Sequence, residues 1–258
     1  MPYSSIILEL REQKAVLTLN RPEAMNAMNE QLNQEACCAL EEIKENKGVD
    51  VIIITGAGRA FCAGLDLKEL EEKKKLRTTG FSMLGEILRM NRPTIAAVNG
   101  FAITGGFELA LSCDIIVASD KAMFADTHAR VGVLPGGGLS QILPRLVGIK
   151  KAKELSFTGN YMTAQEAFQL GLVNKVVSPE ELMPAAEKLA DDIISADQRT
   201  VRKLKRVIDK GQGMSLEDAL MMEHYEHLRH INDVEFEEMG RRRVNILERG
   251  REQAKKDS

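Results

Sequence analysis

Residues 94–119 read TIAAVNGFAITGGFELALSCDIIVAS, and their order decides the fold class. TIAAVNG (94–100) and DIIVAS (114–119) are short apolar runs rich in β-branched residues, as expected of strands buried on both faces. Between them, Gly105–Ser112 reads as a short helix opened by two glycines. Strand, helix and strand in succession imply a crossover, and so an α/β fold. Upstream, DVIIITG (50–56) repeats the buried-strand pattern, and residues 5–20 alternate as two strands around a polar turn at Arg11–Lys14. Leu32, Ala36, Ala39, Leu40 and Ile43 recur at helical spacing, with Asn29 as N-cap and Lys47-Gly48 as the stop. A helical stretch is also expected near Thr79–Asn91, and another at Leu139–Val147 after a Gly-rich turn.

Beyond Leu172–Val177 the strand signal ends, and residues 179–253 read as successive helices broken at Ser195–Asp197, Gly211–Gly213 and Asn232–Asp233. The expected organisation is therefore an α/β core over residues 1–195 and a helical region over 196–258.

The bulk properties exclude several classes. With 258 residues, 44% of them hydrophobic, the chain can bury one sizeable core. No apolar run approaches the ~18 residues needed to span a bilayer. The first residues, MPYSSIILELREQK, lack the basic and apolar regions of a secretory signal. Thirty-five basic against 38 acidic residues give a net charge of −3, which speaks against a nucleic-acid surface. Four cysteines, two of them adjacent at Cys37 and Cys38, suit a reducing, cytoplasmic interior better than a disulfide framework.

Three segments can carry chemistry. GAGRAFCAGLDLK (56–68) places glycine turns after a buried strand, where backbone N–H groups become available; a plain turn is the alternative reading. NGFAITGGFELALSCD (99–114) opens a helix at Gly105-Gly106 and sets Glu108 in its first turn. Glu108 is either a helix-capping carboxylate or, among apolar neighbours, an acid or base. FADTHARVGVLPGGG (124–138) carries Asp126 and His128 ahead of a Pro-Gly turn. His128 has no partners at metal-ligand spacing, and His224, His227 and His230 fan around a helix as a solvated or subunit-contact face, so no metal site is expected.

Taken in order, NRPEAMNAMN (20–29), GAGRAFCAGLDLKEL (56–70), AAVNGFAITGGFELALSCDIIVAS (96–119), PGGG (135–138) and TGNYMTAQEAFQLGLVNKVV (158–177) resemble the enoyl-CoA hydratase/isomerase (crotonase) family. The resemblance covers about residues 5–195 and implies a crotonase-like spiral of ββα turns with a C-terminal helical trimerisation region. It implies a soluble homotrimer or dimer of trimers acting on an acyl-CoA or enoyl-CoA substrate, with no nucleic-acid or membrane partner. CoA arrives with the substrate, and no separate cofactor is required.

By the same resemblance, the N–H groups of Ala63 and Gly105 form an oxyanion hole for the thioester oxygen. Ala24, Met25 and residues 63–68, among them Gly64, Leu65, Asp66 and Lys68, line the CoA channel. Lys68, Lys73–Lys75 and Arg77 either meet CoA phosphates or are a solvated charge run.

Glu108 matches the first catalytic glutamate of the hydratases, but His128 stands where the second is expected. An imidazole can deliver a proton at neutral pH, so a Glu/His hydratase is chemically sound. His128 is thus either catalytic or pocket-lining. The expected activity is reversible addition of water to 2-trans-enoyl-CoA. Isomerisation, decarboxylation, thioester hydrolysis and acyl-CoA binding without turnover are the other readings.

Overall fold

The computed structural model describes residues 3–74 and 82–256. The first strands, β1 (Ile6–Arg11) and β2 (Lys14–Leu19), form an antiparallel hairpin on the expected turn. Helix α1 (Glu30–Glu45) follows, capped by the Asn29 side chain, which accepts the Leu32 N–H at 2.9 Å. Next come β3 (Val51–Gly56), β4 (Ala60–Cys62), α2 (Leu67–Lys73) and α3 (Met83–Leu88). The following turn holds β5 (Thr94–Val98), β6 (Phe101–Ile103) and α4 (Gly105–Ser112), and the next β7 (Ile115–Ser119), β8 (Met123–Ala125) and α5 (His128–Val131). Then come α6 (Leu139–Val147), α7 (Ile149–Thr158), β9 (Met162–Thr163), α8 (Ala164–Gln169), β10 (Lys175–Val177) and α9 (Leu182–Ile194). The remaining helices are α10 (Gln198–Gly211), α11 (Leu216–Ile231) and α12 (Phe236–Lys256).

The strands sort into two sheets, β1-β2-β3-β5-β7-β10 and β4-β6-β8-β9. Each turn of chain gives one strand to each sheet, so β3, β5 and β7 lie side by side in the first while β4, β6 and β8 lie side by side in the second. This is the ββα spiral of the crotonase fold, as the resemblance implied. Within the first sheet β2, β3, β5, β7 and β10 run parallel. The second sheet escaped the sequence reading, because its strands have only two or three residues each and show no periodicity.

Both faces of the first sheet are covered, which explains the unbroken apolar runs. Ile52, Ile54, Ala96 and Val98 face the main core with α1 and α4, whereas Val51, Ile53, Ile95 and Ala97 face α9. Helix α9 meets them with Leu182, Ala186 and Ala190, one residue per turn.

The chain divides into two compact units, Met1–Arg202 and Lys203–Ser258. The second consists of the end of α10 with α11 and α12, and many of its apolar side chains are exposed. No helix of the described residues is long and apolar enough to cross a membrane.

Candidate active site

The three segments singled out from the sequence all leave the carboxyl ends of the parallel strands of the small sheet. Residues 63–66 follow β4, Thr104–Glu108 follow β6, and Asp126–His128 follow β8. The carboxyl ends of parallel strands are where an α/β fold opens a crevice for a ligand. The missed sheet is thus what gathers the site.

Thr104 makes the turn into α4 at φ 55°, ψ −109°, a conformation that L-residues with side chains rarely adopt. Its N–H donates to Ala125 O at 2.8 Å, and its hydroxyl bonds that of Thr127, so β8 holds the turn in place. All eight residues of α4 are buried, Glu108 included at 5% exposure. One oxygen of Glu108, Oε1, accepts the Gly137 N–H at 2.7 Å and the Leu139 N–H at 3.4 Å. Leu139 is the first residue of α6, so the carboxylate sits against the N-terminus of a second helix, where the dipole favours negative charge. The capping alternative is therefore real, but the helix it serves is α6. The other oxygen, Oε2, faces His128 Nε2 at 3.8 Å.

His128 is buried at 6% exposure and begins α5. Its Nδ1 lies 2.7 Å from Asp126 Oδ1, which also accepts the His128 backbone N–H at 3.2 Å. Burial would raise the Asp126 pKa. Hydrogen bonds from the His128 ring, the Ser156 side chain and the His128 N–H outweigh it and hold the carboxyl below its ordinary value. An ionised carboxylate only accepts, so Nδ1 carries a proton and Nε2 is the nitrogen turned to Glu108. At 3.8 Å the Glu108–His128 pair is beyond direct hydrogen bonding, yet close enough for one oxygen atom to lie ~2.8 Å from each. Asp126, two positions before His128 in the chain, is thus bonded to both the ring and the backbone of that residue.

The expected donor pair needs one correction. The Ala63 N–H is spent on Met25 O at 3.0 Å, which leaves it unable to serve a ligand oxygen. Gly64 then turns the chain at φ +95°, a region open to glycine. Its carbonyl accepts the Met28 N–H at 2.7 Å, and Asp66 N–H returns to Met28 O at 3.1 Å. Between these bonds, Leu65 presents its N–H on the other side. A Cβ added to Gly105 would stand 3.6 Å from the Leu65 nitrogen, which puts the two peptide groups side by side. Among the described residues neither the Leu65 nor the Gly105 N–H has a protein acceptor. The geometry thus brings Leu65 together with Gly105, where the resemblance implies Ala63.

The other expected residues divide. Ala24 ends a one-turn helix, and Met25 and Asn26 follow at φ 50° and 56°. Asn26, fully buried, clamps this loop: Nδ2 donates to Ala57 O and Ala60 O, and Oδ1 accepts the Arg21 N–H. Asp66 caps α2 and pairs with Arg21 at 3.0 Å. Lys68 is exposed on α2. Lys73 is paired with Glu30 at 2.6 Å and Glu69 at 2.9 Å, and Lys74 caps α2 in the left-handed region. Lys75 and Arg77 lie outside the described residues. His224, His227 and His230 lie on α11, and no group of three metal-ligating side chains exists among the described residues.

Comparison with known proteins agrees with this geometry. A sequence model of the enoyl-CoA hydratase/isomerase family matches residues 10–251. The chain is 42% identical over 229 residues to the crotonyl-CoA hydratase of Syntrophomonas wolfei, covering 86% of this chain and 88% of that one. It is 41% identical over the same length, with the same coverage, to the short-chain-enoyl-CoA hydratase of Clostridium acetobutylicum. The crystal structure of enoyl-CoA hydratase from Bacillus anthracis superposes with a TM-score of 0.82 at 34% identity, covering 89% of this chain and 92% of that one. With the spiral of paired strands, the glycine-opened helix bearing Glu108 and the match over residues 10–251, the chain belongs to the enoyl-CoA hydratase/isomerase family.

Proposed function

We propose that the protein is an enoyl-CoA hydratase, a hydro-lyase adding water reversibly across 2-trans-enoyl-CoA thioesters. The observation that carries this reading is the buried Glu108–His128 pair, set 3.8 Å apart at the same carboxyl-end edge of the small sheet as two unspent peptide N–H groups. The thioester oxygen takes the Leu65 and Gly105 N–H groups. Each such donor is typically worth about 2.7–4 kcal/mol as negative charge develops on the oxygen. Glu108 and His128 share the water. Its oxygen attacks the β-carbon while Glu108 accepts a water proton, and the α-carbon takes a proton from His128 Nε2. Transfer from Glu108 Oε2 back to His128 Nε2 restores both groups, so atoms and charge balance.

Addition of water is redox-neutral, and these groups supply its acid and base. The proposal therefore includes no metal or redox cofactor, and CoA enters only with the substrate. Ala24, Met25 and Leu65, with exposed Lys68, are assigned to the CoA side of the channel. Asp66 has a smaller part there, since its carboxylate is taken by Arg21 and the α2 cap.

The proposal extends to a cytoplasmic homotrimer or dimer of trimers. Supporting the assembly, Leu216, Met221, Tyr225, Phe236 and Ile246 of the C-terminal unit are all more than half exposed, more apolar surface than a lone unit of this size ordinarily shows to water. Light scattering should give a mass near three or six times 28.6 kDa, and a monomer would end that part of the proposal.

The activity is tested by loss of the conjugated enoyl-thioester absorbance of crotonyl-CoA. Wild type is expected to turn over, and Glu108→Gln and His128→Ala each to lose about 10²–10⁴-fold in kcat. A His128→Ala protein with full activity would make His128 a pocket residue. Wild type that binds acyl-CoA without turnover would leave another reaction of the family, or a binding protein.

A further inference from the structure

We infer that Asp126 is a positioning residue of this reaction, fixing His128 so that Nε2 alone faces Glu108. The inference rests on the hydratase reading of the site. Three observations on the same side chain carry it. Asp126 is buried at 1% exposure, a placement that a carboxylate tolerates only when its oxygens are satisfied. Its Oδ1 takes both the His128 ring, at 2.7 Å, and the His128 backbone N–H, at 3.2 Å. The Ser156 side chain of α7 acts in the same direction, favouring the ionised form of this carboxylate.

A free imidazole has two tautomers and can turn about its side chain, which would present either nitrogen to the water. The Asp126 bond removes that choice. With Nδ1–H committed, every proton that His128 gains or gives up passes through Nε2, the nitrogen 3.8 Å from Glu108. The site is a line of Asp126, His128, shared water and Glu108, in which a histidine with its own carboxylate stands at the position where the family pattern has a second glutamate. The short spacing of Asp126 and His128 in the chain supplies this at little cost, since the backbone of one turn sets both groups.

The test uses the full-length protein and Asp126→Asn, which has nearly the same volume. Crotonyl-CoA kinetics should show kcat falling about 10²-fold or more with KM changed less than about threefold. In a His128→Ala background, Asp126→Asn should cost nothing further, because the residue acts through the imidazole. Nitrogen-15 spectra of the histidine rings, recorded at a pH high enough to leave them neutral and with His128 assigned by its loss in His128→Ala, should show the Nδ1-protonated form in wild type and a mixed or Nε2-protonated form in Asp126→Asn. Unchanged kcat, losses that multiply in the double variant, or an unchanged ring tautomer would each overturn the inference. If Asp126→Asn does not fold, Ser156→Ala loosens the same carboxylate from outside. It should lower kcat in the same direction by a smaller factor, and full kcat there overturns the inference. If wild type does not hydrate crotonyl-CoA, the hydratase reading fails while the ring spectra still decide the role of Asp126.

Discussion

Glu108 accepts the Gly137 N–H at 2.7 Å, and no side chain fits at position 137 while it does so. A Cβ there would stand 2.8 Å from Glu108 Oε2 and 2.3 Å from Leu84 Cδ2. Gly137 is not in the left-handed region, so its backbone accepts alanine and the conflict is purely steric. Gly137→Ala should therefore push the carboxylate out of line with His128 and lower kcat by about 10-fold or more. Overpacking should also cost about 1–3 kcal/mol in stability. Gly136→Ala is the control, since nothing lies within 4 Å of its Cβ and its backbone is ordinary, so its urea midpoint should match wild type. A Gly137→Ala enzyme with normal kcat would mean that the Glu108 position is not set by this contact.

Gly105 and Gly106 are neighbours in sequence but guard different things. A Cβ on Gly106 would stand 1.9 Å from Cys62 O, where β4 meets α4, and backbone there has no way to yield. Gly106→Ala should lose about 3 kcal/mol or more, read as a drop in the denaturant midpoint. A Cβ on Gly105 meets only the flexible end of Met28, at 2.7 Å, but covers the space beside the Leu65 nitrogen. Gly105→Ala should stay folded and lose about 10²-fold in kcat/KM by shielding the two peptide donors. Equal stability losses in the two variants would show that position 105 is a packing glycine.

The contrast between Ala63 and Leu65 shows where sequence reading stops. The strands β3, β5 and β7 were legible because burial on both faces leaves long apolar runs. The helices Gly105–Ser112 and Leu139–Val147 were legible from their glycine openings. The two N–H groups at 63 and 65 would point the same way along an ordinary strand. The left-handed turn at Gly64 swings them apart, sending one to Met25 and the other toward Gly105. The glycine is visible in the sequence, but which peptide swings is a property of the Met28 bridge, 37 positions away in the chain. Glu108 and His128 were legible as residue types in good places. Their 3.8 Å separation depends on β6 and β8 lying side by side, which strands of three residues do not announce.

Thiol chemistry offers a test of burial beside the site. Burial pushes the Cys62 pKa up to about 12, only partly opposed by its contact with Gly64 O. A thiol so placed stays protonated and screened, and the thiolate is the reactive form. Cys38 is exposed on α1, whereas Cys62 and Cys113 are buried. Titration of the native protein with an aromatic disulfide at pH 8 should modify Cys38 quickly and leave Cys62 unmodified until denaturant is added. Fast native modification of Cys62 would mean that β4 opens readily, which would also loosen the turn at Gly64.

Acid should expose the value of the Asp126 contacts to the fold itself. The folded carboxyl is held below its ordinary pKa, because the bonds from the His128 ring, Ser156 and the His128 N–H overcome the effect of burial. The unfolded chain therefore binds the proton first, and stability rises with pH across that window. The contribution is complete above about pH 4, the ordinary carboxylate value, and is lost as pH falls through the lower folded value. Glu35 and Glu166 are shifted the same way: at Glu35 burial is overcome by bonds from Ser5, Gln31 and Ser4, and at Glu166 the Thr163 N–H leads. Both are common to wild type and Asp126→Asn, so they cancel in the difference between the two proteins. Urea unfolding from pH 6 to pH 3 should give a free-energy gap that is flat above about pH 5 and closes below about pH 4. A gap that narrows as pH rises through about 4 would mean that Asp126 holds its proton in the folded protein, and the carboxylate would then be no anchor for Nδ1 of His128.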